Sequence, residues 1–351
     1  MNESGPHSRF VERFVHRTGS HCGSTCLRNL MNFHGFDCDE ALCFGLGSGL
    51  QFAYINNDSL NPPRQIHGRG PNLESDFCDN LGLDYDLFRD ADSDRAWEAV
   101  KRAIDSGLPP MLRTDLFHLD YYQTRTHFSG HVIVLAGYDD ERRIAFCSDN
   151  EFPALQETSY ESLKAARVSQ HPPQFLENDW FAIRSGPRVP LEEGIRRAAQ
   201  KTAEYMLEPG NWIMGLDNLA ALSQDIAEWA SLPDLAWTAR FAYQCIERRG
   251  TGGGAFRLLY AGFLEQAEAM VKELSGLGLS ARMRHAAGLW TRAAEVFKRM
   301  SERVDVPSPR LRAGGGEGAL IEAGAIFRDI EAEERRVFET VAERLSGRKG
   351  S

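Results

Sequence analysis

The chain contains no run of 18 or more apolar residues, so no transmembrane helix is expected. Its first residues, Met1 to Arg9, are polar and lead into no apolar core of the kind a secretory signal requires. These absences predict a cytoplasmic protein with no membrane partner. A basic surplus is also missing. Forty Lys and Arg stand against fifty Asp and Glu, a net charge of −10, and nonspecific nucleic-acid binding needs a basic face. The same charge gives no support to an acidic protein partner, which would need a local basic patch.

Regular cysteine spacing is absent. Seven cysteines occur (Cys22, Cys26, Cys38, Cys43, Cys78, Cys147 and Cys245), an odd count at irregular intervals that argues against a disulfide scaffold. Cys22 and Cys26 are four apart, Cys38 and Cys43 five apart, and both pairs lie in apolar-periodic segments without the CxxC spacing of a zinc ribbon. No metal and no bound cofactor are therefore expected. Gly45-x-Gly47-x-Gly49 lacks the preceding strand, third-glycine spacing and later acidic residue of a dinucleotide fingerprint. It reads instead as a tight turn near a cleft. No Lys-Ser/Thr pair follows Gly250 to Gly254, which excludes a P-loop.

What is present is a soluble composition, 42% apolar and 26% charged, in 351 residues, enough for one large or two ordinary domains. The pattern changes near Pro187-Arg188-Val189-Pro190. Before it, strand-like runs alternate with short helical patterns. After it, amphipathic helical patterns fill 191–207, 216–231, 235–248, 255–276, 280–303 and 319–346. The expected domains are 10–187 and 188–351, the second all-helical with a mobile loop near 305–318.

In the first part, Cys26, Leu27, Leu30, Met31 and Phe33 give a helix over Cys22–His34 with Ser20 as N-cap and Gly35 as stop. A second helix is expected over Asp94–Ser106, capped by Ser93. Pro110–Thr114, His131–Tyr138, Arg143–Ser148 and Trp180–Ile183 read as strands, the middle two as a hairpin. Tyr160–Val168 reads as a helix.

This layout puts a cysteine at a helix start and a histidine at a strand start. A helix N-terminus favours a thiolate through its unpaired N–H groups and its dipole, and a neighbouring imidazolium favours it further. Cys22 has that position. Cys26, one turn further in, reads as packing. His131 opens an apolar strand after Gly130, where its side chain can project into a cleft. A third group must orient the imidazole. Hairpin pairing brings either Asp149 or Asn150 near it, with Asp149 preferred. The Cys22 N–H and a side chain from His16 or His21 are candidates for an oxyanion hole. Glu40, beside the glycine-rich turn, either braces that turn or touches substrate. Tyr54, Tyr121 and Arg257 are further substrate-contact candidates. Gly250 to Gly254, among Arg248, Arg249 and Arg257, reads as an anion site or as an ordinary interhelix turn. Asp115, His118, Asp120, Tyr121 and Tyr122 form a polar-aromatic segment that either lines an acceptor pocket or is a surface loop.

The order of Cys22-Gly23-Ser24-Thr25-Cys26-Leu27, His131 and Asp149 resembles the papain-like superfamily, especially its bacteriocin-processing peptidases. It departs from them at His16, where that branch has glutamine, and at Asn150, where it has proline. The chain is more closely similar to the butirosin biosynthesis protein H family. The shared features are His21-Cys22-x-Ser24, Glu40, Phe44 to Leu50, Gly130-His131 with Gly137-Tyr138-Asp139, and Gly250 to Arg257. The resemblance implies an α+β, papain-like N-terminal domain with Cys22, His131 and Asp149 as catalytic triad, followed by an all-α domain. It implies a cysteine acyltransferase of antibiotic or other specialised biosynthesis. The acyl or aminoacyl donor would be a thioester on the phosphopantetheine of an acyl carrier protein, and the acceptor a small-molecule amine or hydroxyl. A peptidase or amidohydrolase, and a thioesterase or cyclase, are the alternatives the same triad allows.

Overall fold

A computed structural model of the chain describes residues 8–171, 174–209, 214–302 and 316–346. Most of the expected loop at 305–318 lies outside the described residues. Along the chain, β1 (Ser8–Phe10), α1 (Cys22–Phe33) and α2 (Glu40–Leu46) precede a hairpin of β2 (Leu50–Asn56) and β3 (Arg64–Arg69), then α3 (Leu73–Leu81). β4 (Tyr85–Phe88), α4 (Ser93–Asp105), β5 (Met111–Thr114), β6 (His131–Asp139), β7 (Ile144–Ser148), β8 (Gln156–Ser159), α5 (Tyr160–Arg167) and β9 (Trp180–Ile183) follow. The remainder is helical: α6 (Leu191–Leu207), α7 (Leu216–Asp225), α8 (Leu235–Glu247), α9 (Arg257–Met270), α10 (Leu279–Glu302) and α11 (Glu317–Ser346). The protein is thus of mixed helix and sheet. No helix among the described residues is long and apolar enough to cross a membrane.

The chain divides into two units. One comprises Met1–Cys43 and Leu81–Val189, the other Phe44–Asn80 and Pro190–Ser351. The sequence reading expects one cut, into 10–187 and 188–351; in the structure residues 44–80 group with Pro190–Ser351. The second unit therefore carries a two-stranded sheet and α3 besides the helices α6 to α11.

In the first unit the sheet runs β4-β9-β5-β6-β7-β8, with β1 also paired to β6, every pairing antiparallel. β6 is buried at all nine positions, because β5, β7 and β1 pair with it while α1 packs against it. Val134 stands opposite Ser148 and Thr114 opposite His131. The start of β6 and the end of β7 thus share one end of the sheet. α4 buries Ala96, Val100, Ala103 and Ile104. Its cap is Asp92, not Ser93. The Asp92 carboxylate accepts from the N–H groups of Asp94 and Arg95, both at 3.0 Å, and its charge suits a helix N-terminus.

The second unit is organised around a buried ion pair. Arg257, at the start of α9, donates from Nε and Nη2 to Glu334 of α11 at 2.7 and 2.9 Å. Both side chains are fully enclosed, and Trp290 Nε1 donates to the same carboxylate at 2.7 Å. Arg257 Nη1 also reaches the carbonyls of Ala255 at 2.8 Å and of Gln51 and Gly68 at 3.4 Å. One guanidinium thus ties the β2–β3 hairpin to two helices. This corrects the reading of Arg257 as a substrate contact: no part of its side chain is exposed. Tyr54 is likewise spent internally, donating to Asp225 and accepting from Trp229 Nε1 at 3.1 Å. Gly45 is a packing glycine. A Cβ there would lie 1.9 Å from the Phe263 ring, so α2 meets α9 only without a side chain at that point. The run Gly250 to Gly254 is a turn satisfied from within: Glu247 Oε1 accepts from Gly254 N–H at 3.2 Å and from Thr291 Oγ1 at 2.7 Å. A carboxylate of the protein already stands where an external anion was considered.

Replacing Arg257 by Met strands Glu334 as a buried, uncompensated carboxylate. The expected loss in urea denaturation is about 3–5 kcal/mol, well above that of a surface Arg→Met control such as Arg299.

Candidate active site

The chain before α1 is fixed from several directions. Arg28 Nη2 donates to the carbonyls of Arg17 and Thr18 at 2.8 and 3.0 Å. Gly19 N–H donates to Asn150 O at 3.0 Å, and Asn150 Nδ2 returns to Gly19 O at 3.3 Å. Gly19 has no room for a side chain: a Cβ would sit 2.0 Å from Thr25 Oγ1 and 2.7 Å from Glu40 Oε2. Glu40 accepts from Ser20 N–H at 2.9 Å, His21 N–H at 2.7 Å and Ser24 Oγ at 3.1 Å. Its carboxylate braces the helix start.

The cap of α1 is His21, one residue after the expected Ser20, because the first helical bond runs from Thr25 N–H to His21 O at 2.9 Å. His21 Nδ1 accepts from Ser24 N–H at 3.2 Å. Cys22 is thus the first residue of a buried helix. Neither the Cys22 N–H nor the Gly23 N–H has an acceptor among the described residues.

Facing this helix, His131 Nε2 donates to Asp149 Oδ2 at 2.8 Å. Both side chains are almost wholly enclosed. The Cys22 thiol lies within interaction range of both His131 and His21. With Nε2 on Asp149, Nδ1 is the His131 nitrogen left for the thiol. Two phenols complete the surroundings of the carboxylate. Tyr121 donates to Asp149 Oδ2 at 2.9 Å and Tyr122 to Oδ1 at 3.1 Å. The ring of Tyr122 stands edge-on to His131 at 5.5 Å, and both tyrosines meet Phe152 edge-on.

The electrostatics follow from this geometry. Burial alone would raise the Cys22 thiol, but hydrogen bonds and charge from His131 and His21 hold it well below its ordinary value. Burial would lower His131, yet the Asp149 charge, with its hydrogen bond and that of Cys22, raises it to about 10. Burial opposes ionisation of Asp149 as well. His131 and the two tyrosines reverse that and keep it below the usual carboxylate range. The stability contributed by charged His131 is full below its ordinary value near 6.5 and is lost as pH rises through about 10. That of Asp149 is present above its ordinary value and is lost as pH falls. Cys43, Cys78, Cys147 and Cys245 have no such neighbours, and burial pushes each of them up.

The structure therefore brings Cys22, His131 and Asp149 together. Asn150, the other candidate third group, pairs with Gly19 instead. Cys26 is a core residue whose Sγ donates to Val132 O at 3.6 Å. Among the oxyanion candidates, His16 has both ring nitrogens engaged: Nδ1 meets Ser148 Oγ at 2.7 Å and Nε2 donates to Phe152 O at 2.8 Å. His21 lies directly against the thiol. Tyr121 donates to the Asp149 carboxylate. Two residues escaped the sequence reading in these roles. The hydroxyl of Tyr122 was placed only in a general pocket wall. Glu151 carries a carboxyl raised by burial and by Asp149, within reach of the charges on His131 and Cys22. The one available signal was the Tyr-Tyr pair nine residues before His131, whose target no spacing rule reveals.

A cysteine, a histidine and a carboxylate, all buried, gather at one end of an antiparallel sheet in a protein of mixed fold. Residues 21–150 match the family model described as butirosin biosynthesis protein H, N-terminal. Residues 161–341 match one described as a domain of unknown function (DUF4872). The chain belongs to the butirosin biosynthesis protein H-like family. No curated protein matches it.

Iodoacetamide should label Cys22 ahead of the other six cysteines, and its rate should persist at about pH 6, where an ordinary thiol near 8.5 is protonated. Asp149→Asn should slow that labelling by at least about tenfold, the effect of raising a thiol pKa by one. Tyr122→Phe should slow it less. Peptide mapping by mass spectrometry across a pH series reads all three.

Proposed function

We propose that the protein is a cysteine-dependent acyltransferase of specialised biosynthesis with a papain-like catalytic unit. The observation that carries this reading is the hydrogen bond from His131 to Asp149 with the Cys22 thiol beside the imidazole, where the thiol is lowered and the imidazole raised. A thiolate–imidazolium pair is the resting state such chemistry needs. Membership of the butirosin biosynthesis protein H-like family supports the setting.

The Cys22 thiolate attacks the carbonyl carbon of an acyl thioester. The new carbon–sulfur bond forms as the carbonyl π electrons move to oxygen, and the N–H groups of Cys22 and Gly23, which have no acceptor among the described residues, receive the charge in this reading. Collapse breaks the bond to the donor sulfur, and the imidazolium of His131 gives that sulfur its proton. An amine or hydroxyl acceptor then loses a proton to neutral His131 and attacks the Cys22 acyl-enzyme. The product leaves and restores the ion pair. The donor in this reading is a thioester on the phosphopantetheine of an acyl carrier protein. The acceptor is a small-molecule amine or alcohol.

Intact-protein mass after mixing with a panel of acyl-N-acetylcysteamine and acyl-carrier thioesters tests the reading. A gain equal to the acyl group in wild type and Cys26→Ala, absent in Cys22→Ala, is expected. Adding an amine should discharge the adduct into a new amide. Discharge to free acid at the same rate with and without amines would make the protein a hydrolase. Absence of any adduct, together with Cys22 labelling no faster than Cys78, would overturn an activated nucleophile.

A further inference from the structure

Away from Cys22, the described residues gather one set of metal-type donors: Asp115, His118 and His127, with ligand atoms within 4.8 Å of one another. The set spans the connection between β5 and β6. Asp115 follows β5 directly, and its carboxylate is fully enclosed. Oδ1 accepts from the N–H groups of Phe117 at 3.1 Å and Phe128 at 2.8 Å. Oδ2 accepts from His127 Nδ1 and Ser169 Oγ, both at 2.7 Å. The His127 ring is held between Phe117 at 3.9 Å and His171 at 4.1 Å, nearly parallel to both. His118 stands edge-on to His127 at 5.8 Å, and its side chain makes no hydrogen bond among the described residues.

A hydrogen-bonded carboxylate needs neither a sandwiched imidazole nor a second imidazole turned toward it. Two imidazoles and one carboxylate, already oriented by packing and by hydrogen bonds, are the donor set of a divalent transition-metal site. We propose that Asp115, His118 and His127 bind a zinc-type divalent ion. Three protein ligands leave a fourth position for water or a substrate heteroatom. As the ion enters between His127 and Asp115, the proton shared by Nδ1 and Oδ2 leaves to solvent, and the ion takes its place. Asp115 and His127 close the two ends of the loop that carries Tyr121 and Tyr122, so the ion fixes the phenols that hold Asp149. This assignment is independent of the acyl-transfer reading. The metal search from sequence followed the cysteine pairs, whereas these ligands are spaced Asp-x2-His-x8-His along a loop.

The test is Zn(II) calorimetry and Co(II) absorption on full-length Cys22→Ala, which removes the thiol beside His21 and His131 as a competing ligand. One equivalent should bind, with a Co(II) spectrum free of intense sulfur charge-transfer bands. His118→Ala and His127→Ala should each weaken binding by at least about tenfold. His118→Ala removes no hydrogen bond among the described residues, so an unchanged circular dichroism melt separates loss of a ligand from loss of fold. No binding, binding retained in both histidine variants, or a thiolate-type Co(II) spectrum would each overturn the assignment.

Discussion

Asp149 is a carboxylate kept charged where water has almost no access, and the arrangement of Cys22 and His131 in the first unit depends on that charge. An isolated carboxylate in such a place would take up a proton. Three donors prevent it: the His131 imidazole and the hydroxyls of Tyr121 and Tyr122. The benefit is mutual. The charge on Asp149 is what raises His131 against its own burial, and a charged His131 is what lowers Cys22. Removing the carboxylate would leave a buried imidazole with every reason to be neutral and a buried thiol with every reason to stay protonated. The site is a chain of three desolvated groups, each stabilised by the next.

The parts of this chain legible in the sequence are those that local periodicity controls. His131 and Asp149 end neighbouring strands of a hairpin, and two apolar runs joined by the charged turn at Asp139–Arg142 indicate that pairing before any tertiary information is needed. Cys22 opens a helix whose apolar spacing is plain. The long helices after Pro190 were also readable, because each buries one stripe over three or more turns.

What was not legible rests on long-range contacts. The hairpin at 50–69 belongs with helices that begin 140 residues later, and its link to them is a guanidinium meeting two backbone carbonyls. No pattern within 44–80 announces that partner. The internal partners of Arg257, Tyr54 and Glu40 are hidden from the sequence for the same reason. A charged or phenolic side chain beside a glycine-rich turn looks available until its buried partner is known, and here the partners are Glu334, Asp225 and the start of α1. His16 is a similar case: its two ring nitrogens are consumed 132 and 136 positions away.

The geometry also changes which force activates the thiol. A helix start suggests the dipole, whose effect on an anion is roughly 0.3–1 kcal/mol in exposed settings. Glu40 weakens even that, because its carboxylate sits on the N–H groups of Ser20 and His21, immediately ahead of Cys22. A negative group placed there offsets part of the helix field that a thiolate would feel. The two imidazoles must therefore supply most of the lowering, and they do so at hydrogen-bonding range inside the protein, where charge is poorly screened. Glu40 serves position: it fixes the peptide groups that aim Cys22 at His131, at some electrostatic cost that the histidines more than offset. His21 is bound through Nδ1 to the helix N–H of Ser24 and stands beside the sulfur. One residue thereby both caps the helix that Cys22 opens and lies against its thiol.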